Sequence, residues 1–171
     1  AVNPPLIDLM ASQTRILPYL DMPLQHAHPA TLRRMRRPAN VDAVVRTLER
    51  MRSAMPGMAL RTTLLVGYPG ETEEDHDSLL AFVEEVRLDW CGFFSFSEEE
   101  GTLAATQDGT VAPELMAERL RELGELQDHI TAERRADLIG ARVEVLVDEA
   151  GVGRTYREAP EIDGVVLVAD D

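Results

Sequence analysis

The sequence predicts an α/β fold: parallel strands joined by helices in right-handed βαβ units, a long helix, and the start of a small antiparallel β domain. Three observations predict it. Apolar runs alternate with segments of helical periodicity over residues 19–96. One of those runs, residues 60–67, is almost wholly apolar after Arg61, as expected of a parallel strand covered on both faces. Beyond Gly101 the rhythm changes to a long, roughly heptad repeat, and then to valines alternating with polar residues.

In chain order, residues 19–24 form a short apolar run flanked by Pro18 and Pro23, a strand that Pro23 brings to its end. Residues 31–35 read as a short helix after Pro29. Val41, Val44, Val45, Leu48, Met51 and Met55 recur at helical spacing, with Asn40 as N-cap and Pro56-Gly57 as the stop. The strand at 60–67 follows and turns through residues 67–70. Thr72 caps the next helix, whose first turn holds Glu73, Glu74 and Asp75, where the helix dipole favours acids. Leu79, Phe82, Val83 and Val86 make its buried stripe, and residues 90–96 are the third strand. Residues 102–112 read as a loop. Pro113 opens the long helix, which carries Met116, Leu120, Leu123 and Ile130, runs to about Leu138 and ends near Gly140. Val143, Val145 and Val147 then alternate with polar residues, and residues 164–168 are a second β run. About 30 residues are too few for an independent core.

Composition excludes several classes. The 171 residues include 17 cations, all arginine, against 31 acids, for a net charge of −14. That balance argues against a general nucleic-acid binder, which needs clustered positive charge. One cysteine, Cys91, can make no internal disulfide and cannot alone hold a metal cluster. No apolar stretch is long enough to cross a membrane and no secretory leader opens the chain, so a cytoplasmic location is expected. The charge is nevertheless segregated. Residues 15–61 hold nine arginines against three acids, residues 62–118 one arginine against fourteen acids, and residues 141–171 three against eight. Such asymmetry either steers an anionic ligand to one face or marks a solvated, arginine-rich helix.

Candidate chemistry gathers at strand ends. In parallel α/β proteins ligands collect at the carboxyl ends of strands, which is where Gln25 and His26 fall. His26 and His28 share a face of an extended chain and are open to metal ligation, capping or substrate contact. Residues 61–72 lead a covered strand into a Gly/Pro turn and a capped helix. Its glycines allow close backbone approach, though the segment is neither a Walker A loop nor a dinucleotide fingerprint. Residues 94–101 end the third strand in a solvated acidic loop or in backbone that meets a flat ring. Cys91 reads as core, and His76 and His129 as surface residues.

Five segments together resemble the radical-SAM methylthiotransferases: residues 18–27 (PYLDMPLQHA), 32–38 (LRRMRRP), 61–74 (RTTLLVGYPGETEE), 98–102 (EEEGT) and 159–166 (APEIDGVV). Within the family the segments resemble the branch that methylthiolates an aspartate of ribosomal protein S12, and the resemblance runs through nearly the whole chain. It implies that residues 1–112 are the carboxy-terminal half of a radical-SAM (β/α)6 partial barrel, 113–140 a linker helix, and 141–171 the incomplete start of a TRAM β-barrel. It also implies S-adenosylmethionine and two [4Fe-4S] clusters as cofactors. The family's cluster-binding cysteines, among them a Cys-x-x-x-Cys-x-x-Cys motif, are not in this chain. A carboxy-terminal fragment, inactive alone, is therefore expected.

The resemblance further implies a reduced cluster that cleaves S-adenosylmethionine to a 5′-deoxyadenosyl radical. That radical takes hydrogen from the aspartate β-carbon before sulfur and a methyl group are added. Gln25 and Arg61 become candidates for the polar or carboxylate end of the cofactor. Val66, Gly67, Phe96 and Ser97 are candidates for backbone contact with its adenine. The acidic tail fits docking on a basic ribosomal protein, with no membrane partner and no nucleic acid as direct substrate. The alternatives are the sister enzyme that modifies an adenosine in tRNA and a non-catalytic docking module. Half a barrel also leaves an open sheet edge, so self-association of the isolated chain is expected.

Overall fold

The computed structural model describes residues 2–169. Three parallel strands lie side by side in the order β1 (Tyr19–Asp21), β2 (Ala59–Val66), β3 (Trp90–Ser95). Five helices accompany them: α1 (Pro4–Ser12), α2 (Pro29–Arg34), α3 (Val41–Ala54), α4 (Glu73–Val86) and α5 (Pro113–Ala136). A separate antiparallel sheet joins β4 (Leu146–Glu149), β5 (Val152–Arg154) and β6 (Val166–Leu167).

Side-chain alternation along β2 explains the layering. Leu60, Thr62, Leu64 and Val66 are buried, while Arg61, Thr63 and Leu65 on the other face are half-exposed. The buried face packs against Leu48 and Met51 of α3, Leu79, Phe82 and Val83 of α4, and Leu123 and Ile130 of α5. The expectation of a strand covered on both faces is thus corrected. An apolar run is equally satisfied by one helix layer plus a face that the described residues leave half-open.

Local chemistry fixes the element ends. Asn40 caps α3 through Ala43 N, and Thr72 with Asp75 forms a reciprocal capping box on α4. Strand β1 stops after three residues, but the chain rejoins the sheet at Gln25, which bridges Leu64. Helix α1 and strand β5 were not read from the sequence. In α1, Asn3 caps Leu6 N and prolines fill the first positions, with Ile7 and Met10 buried one turn apart. Strand β5 has a glycine at its centre, and a Cβ on Gly153 would meet Leu146 O at 2.5 Å.

The tail is tied to the amino ends of the parallel strands. Asp163 accepts a hydrogen bond from the Tyr19 hydroxyl (2.8 Å) and an ion pair from Arg61 (3.1 Å). The Trp90 indole donates to Arg157 O (2.6 Å), and Tyr156 donates to Gly57 O (2.6 Å). Asp89 gathers Arg134 of α5, Arg157 of the tail and the Leu60 amide. Among the described residues no helix is long and apolar enough to cross a membrane.

Candidate functional site

Parallel pairing puts the carboxyl ends of all three strands on one rim. Register pairs Leu65 with Phe94 and Val66 with Ser95, and Gln25 reaches the same level through its bridge to Leu64. The Gln25 amide donates to Thr63 O and its carbonyl accepts from Leu65 N, at 2.9 and 2.8 Å. Its φ of 73° is left-handed, an unfavoured conformation for a residue with a side chain, held here by those two bonds. Phe94 is 54% exposed on the open face beside it.

The turn after β2 is fixed by a buried charge cluster. Gly67 has φ 82° and donates its amide to Glu71 Oε2 at 2.9 Å. Glu71 is paired with Arg119 of α5 at 2.7 Å, and both side chains are almost fully buried. His26 Nδ1 accepts from the His28 amide, and its Nε2 lies 3.5 Å from Glu71 Oε2. The next layer out is Asp75, which accepts from Thr31 Oγ1 (2.9 Å) and Arg34 (2.8 Å) and touches His28. Burial works to raise the Asp75 pKa, but the hydrogen bonds from Arg34, Thr72 and Thr31 and the His28 charge outweigh it. The net displacement is downward.

The rim continues through β3. The Phe96 amide donates to Val66 O at 2.7 Å, and its ring stands edge-on to Tyr68, 5.4 Å between centroids. Ser97 and the three glutamates after it are exposed. The Val66 carbonyl and Gly67 amide are therefore already engaged within the chain. A flat ligand would use the remaining carbonyl lone pairs and the Phe96-Ser97 backbone.

Of the six residues singled out from the sequence, five meet on this rim: Gln25, Val66, Gly67, Phe96 and Ser97. Arg61 does not. It sits five residues before Val66, so about 16 Å lower on the strand, and pairs with Asp21 at 2.7 Å and Asp163 at 3.1 Å. Burial acts to lower its pKa, but the two carboxylates outweigh that and raise it. A guanidinium held between two acids at the opposite end of the strand ties the tail to the sheet.

One histidine expectation is corrected, that for His76, and another is narrowed. His26 and His28 diverge, toward Glu71 and Asp75 respectively, and do not converge on one point. His76 is buried, with Nε2 2.8 Å from Glu122 Oε2, because it lies on the α4 face that α5 covers; His129 is exposed as expected. Cys91 packs among Thr62, Leu64 and Phe82 on the helix side of the sheet, and burial pushes its thiol well above the usual range. Among the described residues, no group of three or more His, Cys, Asp or Glu could hold a metal ion.

Sequence reading missed the Glu71–Arg119 pair. Its signal was present: Arg119 shares the buried α5 stripe with Leu123, Gln127 and Ile130. A charge on an apolar stripe implies a buried partner.

Comparison with known proteins matches these features. The Radical SAM superfamily matches residues 1–83 and the TRAM domain matches residues 139–171. The ribosomal protein uS12 methylthiotransferase RimO of Moorella thermoacetica is 46% identical over 170 residues, covering 99% of this chain and 39% of that protein. The proteins of the same name from Chloroflexus aurantiacus and Thermus thermophilus are each 46% identical, over 95% and 97% of this chain and 38% and 39% of theirs. The chain thus spans less than two fifths of the length of the curated relatives it matches. Its three parallel strands, long helix and small antiparallel sheet, with no closed barrel among the described residues, are an arc of the radical-SAM fold followed by TRAM-type β structure. This chain belongs to the radical-SAM methylthiotransferase family.

Proposed function

We propose that this chain forms one wall of the chamber in which a methylthio group is added to the β-carbon of an aspartate of ribosomal protein S12. The observation that carries the reading is the match of nearly the whole chain, at 43–46% identity, to proteins named uS12 methylthiotransferases. The arrangement of residues 1–112, 113–140 and 141–171 as half-barrel, linker helix and beginning TRAM domain belongs to the same proposal.

The chain's own residues then do three things. Gln25, projecting from a left-handed backbone at the rim, contacts the polar end of S-adenosylmethionine. Val66, Gly67, Phe96 and Ser97 offer backbone to its adenine, and the exposed Phe94 supplies an apolar floor. Glu71 and Arg119 hold the Gly67 turn, so the cofactor meets preformed backbone rather than a mobile loop. S-adenosylmethionine, when bound, supplies a methyl group and a carbon–sulfur bond that one-electron reduction can break. A [4Fe-4S] cluster does not fit this chain's residues. It needs at least three thiolates, and the one thiol here, half-buried on the helix side, has its pKa raised by burial. The chain alone is inactive on this reading. The acidic tail suits docking on a basic ribosomal protein, and the work would take place in the cytoplasm.

The test grafts this chain into the Moorella relative in place of its matching residues and offers S12 and tRNA together. A methylthio adduct on an S12 aspartate is the expected product. A graft that folds, carries its clusters and modifies tRNA instead would assign the chain to the sister activity.

A further inference from the structure

One exposed feature has no part in the proposed reaction. Residues 22–41 hold four arginines and no acid, in a chain whose net charge is −14. Arg34 is neutralised by Asp75. Arg33, Arg36 and Arg37 are exposed and, among the described residues, have no carboxylate partner.

The turn that presents them is rigid. Helix α2 ends in a Schellman arrangement: the Arg37 amide donates to Leu32 O (2.8 Å) and the Arg36 amide to Arg33 O (2.9 Å). Arg36 occupies the position where glycine is favoured, with φ 56°. The turn is fastened to the rim as well. Tyr68 donates to Arg34 O (3.2 Å), the Arg34 side chain packs on Gly70, and Arg37 donates to Pro23 O (3.2 Å). A residue kept in a costly backbone conformation, aimed outward beside the candidate site, calls for a function that glycine would not perform.

We infer that Arg33, Arg36 and Arg37 form a docking surface for the phosphate backbone of RNA, engaged while the ribosomal protein occupies the rim. The inference rests on the proposed substrate, since a ribosomal protein is met in the company of RNA. Three exposed guanidiniums on one short turn, Arg37 with one N–H already donated to Pro23 O, suit successive phosphates of one strand. No large exposed apolar side chain accompanies them, so the turn lacks what membrane insertion would need.

The test uses the 171-residue chain and a fluorescent single-stranded RNA of about 20 nucleotides, followed by anisotropy at varied salt. Three phosphate contacts predict a log–log salt slope of about −2. The triple variant Arg33→Gln, Arg36→Gln, Arg37→Gln should bring that slope close to zero. Arg36→Gly is the decisive variant, because it should raise the melting temperature while reducing the slope by about 0.7. Absent binding, or an Arg36→Gly chain that melts higher yet binds RNA unchanged, overturns the inference. So does polyglutamate that displaces the RNA with the same arginine dependence, which would make the partner an acidic protein segment. Absent RNA binding beside a graft that still modifies S12 removes this surface alone. Arginine-dependent RNA binding beside a graft that modifies no S12 supports the surface and removes the substrate reading.

Discussion

Asp75 concentrates several roles in one carboxylate. It completes the α4 capping box, takes hydrogen bonds from Thr31 and Arg34, and faces His28. Because its folded pKa lies below the unfolded value, its stabilisation is full above about pH 4 and is lost as pH falls through the folded pKa. Asp75→Asn should lower the unfolding free energy by about 2 kcal/mol at neutral pH, read from the denaturant midpoint. The variant should also lose part of the acid-side slope of stability against pH. Tyr19 runs the other way. Burial first, then the Asp163 hydrogen bond, raise its pKa, so its stabilisation is full below about pH 10 and fades as pH rises beyond that. Residue-scale features were legible where chemistry is local. The Thr72 cap and its acids could be read from neighbouring residues. The Arg61–Asp163 pair could not, because 102 residues separate its members. His76 was misread for a related reason: it becomes buried only when α5 is laid across α4.

At the scale of elements, α5 is the part that connects the rest. Its Arg119 holds the β2–α4 turn through Glu71, Gln127 donates to Leu88 O (3.0 Å), and Arg134 pairs with Asp89. Met116 sits where a side chain on Gly67 would go, with Sδ 2.1 Å from that Cβ position. Gly67→Ala should therefore cost about 2–3 kcal/mol, part from the left-handed backbone and part from displacing Met116. Adding Met116→Ala should recover the steric share and leave about 1 kcal/mol, measured by chemical denaturation. Arg119→Met should loosen the turn, seen as faster amide exchange at Gly67 with little change at β3. The order of strands and helices was legible because each βαβ crossover declares itself by period and caps. Strand β1 was read too long, since Pro23 ends ladder pairing early and Gln25 rejoins only as a bridge. Residues 4–12 carry no expectation from the sequence, although the Asn3 cap and the prolines at the first helical positions are the signal of a helix start.

The whole molecule is a one-sided sheet. Helices cover one face, the tail clamps the amino ends of the strands, and Phe94 and Leu65 line a face that the described residues leave half-open. Both sheet edges, β1 and β3, lack a further strand among the described residues. The isolated chain should therefore self-associate, with a sedimentation coefficient that rises with concentration over the micromolar range. A monodisperse monomer would show that the open face is better protected than its exposure indicates.

On the proposed function, the carboxyl rim of β1–β3, and not the amino end of β2, meets the cofactor. Equilibrium binding of S-adenosylmethionine to the grafted enzyme tests it, with Gln25→Ala set against Arg61→Gln. Loss of one hydrogen bond predicts roughly tenfold weaker binding for Gln25→Ala, while Arg61→Gln, far from the rim, stays within about twofold. Weakened binding in Arg61→Gln with Gln25→Ala unchanged would move the cofactor to the amino end of β2.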